Sequence, residues 1–217
     1  MKPIFITGIG TDVGKTLISA IVTEALQADY WKPVQAGFQQ GTDAEWVRNM
    51  VSNTQSTVHD EVYRLHTPAS PHIAARKDNI AIELKVIAEQ AKALQQLAGN
   101  RRLVIEGAGG LLVPLTDELT VADLIQQLDA TVILVSRNYL GSINHSLLTA
   151  AVCKSRGIDV AGWIFNDDYL SYEQEIVQWS GYPSLGAVPH LDSIEPETII
   201  QMAEKLRDGL REKLAGS

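Results

Sequence analysis

With 217 residues, 45 % of them apolar and 20 % charged, the chain is long enough and greasy enough to bury one sizeable core, which excludes a disordered polymer. A net charge of −8 and the lack of a polybasic tract argue against general binding to nucleic acid or to anionic lipid, so any phosphate has to be held locally. Cys153 is the only cysteine, which excludes an intrachain disulfide. With no apolar run of bilayer length and no signal-peptide core after Met1-Lys2-Pro3, the expected home is a bacterial-type cytoplasm.

Taken in chain order, Pro3 to Thr7 reads as a buried strand, and Lys15 to Gln27 has apolar residues at helical spacing (Leu17, Ile18, Ile21, Val22, Leu26). Tyr30 to Val34 reads as a second strand, ended or placed near an edge by Pro33. Residues 35–81 are the least regular part, rich in Thr, Ser, Asn and His, with a short helix over Ala44 to Val51; substrate loops are expected here. Ile82 to Leu97 reads as a helix, and Arg102 to Glu106 as a strand stopping at Gly107. Ala130 to Val135 is almost wholly apolar, as a central parallel strand should be. Ser142 to Arg156 reads as a helix with Gly157 as its C′ residue. Val160 to Phe165 and Ser184 to Val188 read as strands, and Pro196 to Leu214 as a closing helix. This alternation predicts an α/β class protein, with one single domain over residues 1–217 and a mostly parallel central sheet carrying helices on both faces.

The first strand runs into Gly8-Ile9-Gly10-Thr11-Asp12-Val13-Gly14-Lys15-Thr16, and a helix follows. Strand, glycine loop and helix are the context of a P-loop NTPase. Glycines let successive N–H groups converge on phosphate oxygens, and the helix N-terminus adds partial positive charge. Lys15 is then expected on the β- and γ-phosphates, and the Thr16 hydroxyl on Mg2+. The usual pattern has its first glycine where Ile9 stands; Gly8 and Gly10 flank that position.

Mg2+ takes one or two carboxylates beside phosphate and water. Glu106 closes an apolar strand ahead of Gly107-Ala108-Gly109-Gly110, and the carboxyl ends of strands are where open α/β sheets gather ligands. Asp43, after Gly41-Thr42, is either a second metal carboxylate or the N-cap of the short helix; the local pattern favours the cap.

Five segments together resemble the dethiobiotin synthetase family: Thr7 to Thr16, Trp31-Lys32-Pro33-Val34-Gln35, Ser70-Pro71-His72, Val104-Ile105-Glu106-Gly107-Ala108-Gly109-Gly110, and Leu140-Gly141-Ser142-Ile143-Asn144-His145. The Gly8-x5-Gly14-Lys15-Thr16 spacing is usual there. The resemblance runs in order over nearly the whole chain and is loose only towards the C-terminus. It implies a homodimer of P-loop subunits that joins 7,8-diaminopelargonate and CO2 at the expense of ATP, by way of a carbamate and a carbamic-phosphoric anhydride. It implies Thr16, Asp43 and Glu106 as Mg2+ ligands, and Lys15 and Lys32 facing the phosphates and the carbamate. It places Thr11 near the substrate, and Gly107, Ala108, Gly109, Gly110, Leu111 and Leu112 along the diamine and its carbamate. On the nucleotide side it implies Gly8, Asp12, Val13 and Gly14 of the loop, Gly109, Asn166 against adenine, Pro189, and Glu197 if a one-residue shift is allowed. Asn144 matches a position that reaches the partner's substrate carboxylate. Where the family has Ser or Thr, this chain has Ala36, so that hydroxyl contact is lost or comes from Gln35 or Thr42.

Other groups read as structural. His145, near the start of a helix, fits capping or packing, and His72, ahead of a helix, fits a structural role; Cys153 lies on an apolar-periodic helix; the four tryptophans Trp31, Trp46, Trp163 and Trp179 read as packing. No His/Cys spacing suits zinc. The main rival is a partitioning or switch ATPase acting through a protein partner, whose signature lysine would stand at Gly10. A GTPase would want Asn-Lys-x-Asp where Asn166-Asp167-Asp168 stands. A glutamine-dependent amidase would need a further domain, and a small-molecule kinase would work without CO2.

Overall fold

The computed structural model describes residues 1–215. Seven strands form one sheet: β1 (Ile4–Gly8), β2 (Asp29–Trp31), β4 (Val58–His59), β6 (Leu103–Gly110), β7 (Thr131–Arg137), β8 (Val160–Asn166) and β9 (Ser184–Val188), in the order β4-β2-β6-β1-β7-β8-β9. Every pairing in it is parallel. β3 (Val34–Ala36) and β5 (Tyr63–Leu65) make a separate parallel ribbon. The helices are α1 (Lys15–Leu26), α2 (Asp43–Met50), α3 (Pro71–Asp78), α4 (Leu84–Ala98), α5 (Val121–Gln127), α6 (Ser142–Ser155), α7 (Glu173–Ser180) and α8 (Pro196–Leu214).

Strand side chains alternate between the two faces. Ile4, Ile6, Val104, Ile133 and Val135 pack against α1 and α8, whereas Phe5, Ile105, Val132 and Leu134 pack on the side of α4, α5 and α6. Two cores therefore sandwich the sheet, which is the expected α/β architecture with helices on both faces. β1 lies between β6 and β7, so the loop after β1 opens between their carboxyl ends. In doubly wound sheets this reversal of strand order is where ligands bind.

Several elements differ from the sequence reading. The strand expected over 30–34 breaks: β2 ends at Trp31, and Val34 leaves the sheet to pair with Tyr63. Pro33 has no N–H to extend the ladder, and its carbonyl instead accepts the N–H groups of Val62 and Tyr63. β6 runs past Gly107 to Gly110, because Gly8 of β1 pairs there. The irregular stretch contains β3, β4, β5 and α3 besides α2, and His72 lies inside α3 rather than ahead of it. α5 and α7 add to the expected set; α5 opens on a Thr120/Asp123 capping box.

Cys153 is fully buried, as expected, and burial pushes its thiol up to about 11. Trp31 and Trp163 are core residues and Trp46 is half-buried, but Trp179 is exposed on α7 rather than packed in the core. His145 is exposed and caps no helix end, because Gly141 holds the N-cap position of α6; its Nδ1 lies 2.6 Å from the Tyr139 hydroxyl.

Candidate active site

The phosphate loop turns on Gly14, whose φ of 91° is left-handed and free of strain only for glycine. A Cβ there would lie 2.2 Å from Asn166 Nδ2. That contact exists because Asn166, at the end of β8, donates from Nδ2 to the Val13 carbonyl at 3.1 Å and clasps the loop from outside. Ile9 costs the loop nothing: its N–H donates to Val135 O at 3.1 Å, continuing the strand, while the space around Gly10 is open. Lys15, nearly buried, donates from Nζ to Gly10 O at 2.8 Å. Burial lowers its ammonium below the ordinary lysine value, with nearby Glu106 pulling the other way.

Glu106, 1 % exposed, is the hub of the site. Its Oε1 accepts from the Thr16 hydroxyl at 2.9 Å and from Lys32 Nζ at 3.0 Å, and its Oε2 accepts from the Tyr30 hydroxyl at 2.8 Å. Lys32 Nζ also donates to Asp43 Oδ2. Burial alone would depress the Lys32 ammonium, but Glu106 and Asp43 outweigh it and hold the group above its usual value. Burial and then the adjoining Glu106 charge push Tyr30 well above an ordinary tyrosine, so it stays a donor.

Asp43 is not the N-cap of α2. Thr42 is: its hydroxyl accepts from Glu45 N at 3.1 Å while the Glu45 carboxylate accepts from Thr42 N at 2.9 Å. The capping box leaves the Asp43 carboxylate free to face Lys32.

A cavity of about 780 Å³ opens over this cluster. Of the residues singled out from sequence, Thr11, Asp12, Gly14, Lys15, Thr16, Lys32, Ala36, Asp43, Glu106, Ala108 and Gly109 line it. Gly8 and Val13 lie behind the loop, and Gly107 faces Phe5, whose ring a Cβ would meet at 2.8 Å. Gly110, Leu111 and Leu112 line a second hollow of about 310 Å³ with His145 and Leu148; Thr11 borders both. Asn144 is exposed in the first turn of α6, beside that hollow. Pro189 and Glu197 are exposed and line neither; the Glu197 carboxylate accepts from Gln201 at 3.5 Å.

At Ala36 the suggested substitutes for the missing hydroxyl are committed elsewhere. The Gln35 amide donates to Gly37 O at 2.9 Å and accepts from Asp43 N at 3.3 Å, and the Thr42 hydroxyl caps α2. Sequence reasoning missed Tyr30 as a partner of Glu106, and it missed the wall built by Val34, Pro68, Ala69 and Val113. A tyrosine in a strand gives no signal of what its hydroxyl meets.

A parallel sheet with a glycine loop between its central strand and first helix, and a buried carboxylate on the neighbouring strand, defines a P-loop NTPase fold. The AAA domain family matches residues 2–198. Among solved structures, the septum site-determining protein MinD of Pyrococcus horikoshii OT3, complexed with Mg-ADP, is similar with a TM-score of 0.60 at 14 % identity, over 98 % of this chain and 99 % of that one. A ParA family ATPase of Chlorobium tepidum TLS is similar with a TM-score of 0.58 at 12 % identity, over 94 % and 99 %. At such identities the likeness carries the fold alone.

Much nearer in sequence is the ATP-dependent dethiobiotin synthetase of Cytophaga hutchinsonii, 49 % identical over 209 residues that span 96 % of this chain and 98 % of the relative. That of Christiangramia forsetii is 46 % identical over 212 residues, 97 % and 99 % of the two chains. The chain belongs to the ATP-dependent dethiobiotin synthetase family.

Proposed function

We propose that the chain is a single-domain cytoplasmic ligase that converts 7,8-diaminopelargonate, CO2 and ATP to dethiobiotin, ADP and phosphate by closing a ureido ring. One observation carries the reading beyond family membership. Two buried lysines, Lys15 and Lys32, line one cavity together with Thr16, Asp43 and Glu106. Joining a carbamate to a triphosphate brings anions together, and an acidic protein needs such a local store of positive charge.

The donor set fits Mg2+. Hard oxygens of Thr16, Glu106 and Asp43 converge, directly or through Glu106, on the Lys32 ammonium, an internal cation standing among them. Among the described residues no group of three or more His, Cys, Asp or Glu gathers, so a magnesium site completed by phosphate and water suits better than an all-protein cage. When bound, Mg2+ would neutralise charge on the phosphates being separated.

In this reading Lys15 and the loop N–H groups hold the β- and γ-phosphates, with Gly8, Asp12, Val13 and Gly14 shaping the cradle. Asn166 receives adenine, with Gly109, Pro189 and Glu197 on the nucleotide side. The diamine lies along Gly107 to Leu112 and Ala36, with the Thr11 hydroxyl beside its reacting end. One amine takes up CO2 to give a carbamate, whose oxygen attacks the γ-phosphate and expels ADP. The second amine then attacks the carbonyl of the anhydride, phosphate leaves, and the ring closes. Lys32 stabilises the carbamate and the transferring group, and fixed geometry favours the intramolecular closure. The chain works as a homodimer in which Asn144 reaches the partner's substrate carboxylate. Leu112 and Leu148, exposed at the second hollow, support an apolar interface there.

A nucleotide switch acting through a protein partner fits less well, because Gly10 stands where its signature lysine would be. Phosphate release from Mg-ATP separates the two. The ligase needs both 7,8-diaminopelargonate and bicarbonate and yields a product of dethiobiotin mass; release indifferent to both would contradict it.

A further inference from the structure

Gln35 is nearly buried in the middle of β3 and lines the large cavity, yet no step above uses it. The first N–H groups of a helix have no partner within it. At α2 side chains take them in turn: Thr42 accepts from Glu45 N, Glu45 accepts from Thr42 N, and Gln35 Oε1 accepts from Asp43 N at 3.3 Å. The other end of the same amide, Nε2, donates to Gly37 O at 2.9 Å. With a donor at one end and an acceptor at the other, the amide has one orientation that satisfies both.

We propose that Gln35 is a positioning residue for the metal carboxylate, acting through the backbone of Asp43. The N–H that Gln35 holds and the carboxylate that meets Lys32 sit on the same Cα, so fixing one restrains the other. Both anchors of the amide are stiff. β3 is paired with β5 from Val34 to Ala36, and the turn after it passes through Gly37 at φ 74°, where even a Cβ would strike Pro68 at 2.8 Å. The Asp43 carboxylate is left out of the capping box, so its own helix does not orient it. Gln35 and Lys32 supply that orientation, from the backbone side and from the charge side.

The proposal rests on the reading of Asp43 as a metal ligand, and the test separates the two. Mn2+ serves as the probe, its binding read from the electron-paramagnetic signal of the free ion in the presence of ADP. Gln35→Leu is expected to weaken Mn2+ binding about tenfold, the usual cost of losing an outer partner of a metal ligand. ADP affinity without metal stays at the parent value. Gln35→Glu keeps an acceptor for the Asp43 N–H but loses the donor to Gly37 O, so it restores only part of the affinity. Asp43→Asn weakens Mn2+ on its own, and Gln35→Leu added to it weakens binding little further, because the two act on one ligand. Gln35→Asn, one methylene short of Asp43, replaces the leucine variant should that one fail to fold. Parent-like Mn2+ binding in folded Gln35→Leu or Gln35→Asn, with Asp43→Asn impaired, overturns the positioning role alone. Unchanged binding in Asp43→Asn overturns the metal reading and the positioning role with it.

Discussion

Two buried charges flank β2, and they are built differently. Asp29, its first residue, accepts from Thr57 N at 3.0 Å, from Arg101 at 2.9 and 3.2 Å, and pairs with His59 at 3.3 Å. Lys32, just past the last residue, sits between Asp43 and Glu106 on the floor of a cavity of about 780 Å³. Burial would push the Asp29 carboxyl up, but Arg101, the Thr57 N–H and His59 outweigh it and hold the group below the usual range. At Asp29 the partners fill both oxygens and the arrangement is closed. At Lys32 one carboxylate oxygen serves both Thr16 and the ammonium, and the group opens on space for a ligand. Burying charge is costly at either end. Its return at Asp29 is a fixed strand end; at Lys32 it is a cluster that, in the proposed reaction, exchanges its pairs for phosphate and metal.

The comparison breaks most sharply at Glu106. Glu106→Gln keeps the shape but removes the charge that Lys32 pairs with and that the proposed metal would share; kcat/KM measured with Mg-ATP and the diamine should fall by roughly 10³-fold. Lys32→Met should lower kcat by about 10²-fold with the ATP dissociation constant nearly unchanged, because in the proposed reaction its charge acts on the transferring group. Parent-like turnover and ATP affinity in that variant would sink the assignment. Gly14→Ala, driving a methyl against Asn166 at a left-handed φ, should weaken ATP binding at least about tenfold by calorimetry.

At the other end, Asp29→Asn should leave turnover alone and cost about 2 kcal/mol in urea unfolding at pH 7. The sign with pH follows from the depressed carboxyl. Its contribution is complete above the unfolded value, 3.8, and is lost as pH falls through the lower folded value, so parent and variant converge in acid. The smallest effect is expected at exposed Asn144, where alanine should raise the diamine KM about fivefold and leave ATP binding unchanged.

Much of this was legible from sequence for identifiable reasons. β9 and α8 fall within their expected bounds because alternation, a Pro start and helical periodicity all agree there. The loop after β1 was legible because its glycines stand between a strand and a helix; Glu106 was legible as a carboxylate beside it, but not that β6 carries on past it to Gly110, because that depends on the pairing of Gly110 with Gly8. The break at Pro33 was only half legible: proline says the ladder stops, but not that Val34 pairs with Tyr63. α5 carried its signal in Thr120 and Asp123, three residues apart, yet with few turns to show a period. At Asp43 the local pattern alone points to a cap, yet Thr42 and Glu45 make the better one, which a scan for the paired capping pattern finds; the resemblance points instead to the carboxylate's use in the site. Tyr30 on Glu106 and Gln35 on Asp43 depend on which strands are neighbours, and no local pattern encodes that.

The central claim is that a carbamate oxygen attacks the γ-phosphate at the Lys15–Lys32 cluster. It is tested most directly with ¹⁸O-labelled bicarbonate in ordinary water, ATP and 7,8-diaminopelargonate, quenched early, with the released phosphate analysed by mass spectrometry. The account predicts that labelled oxygen from bicarbonate appears in inorganic phosphate in step with dethiobiotin formation. Phosphate carrying no label, whether or not the ring closes, would contradict it.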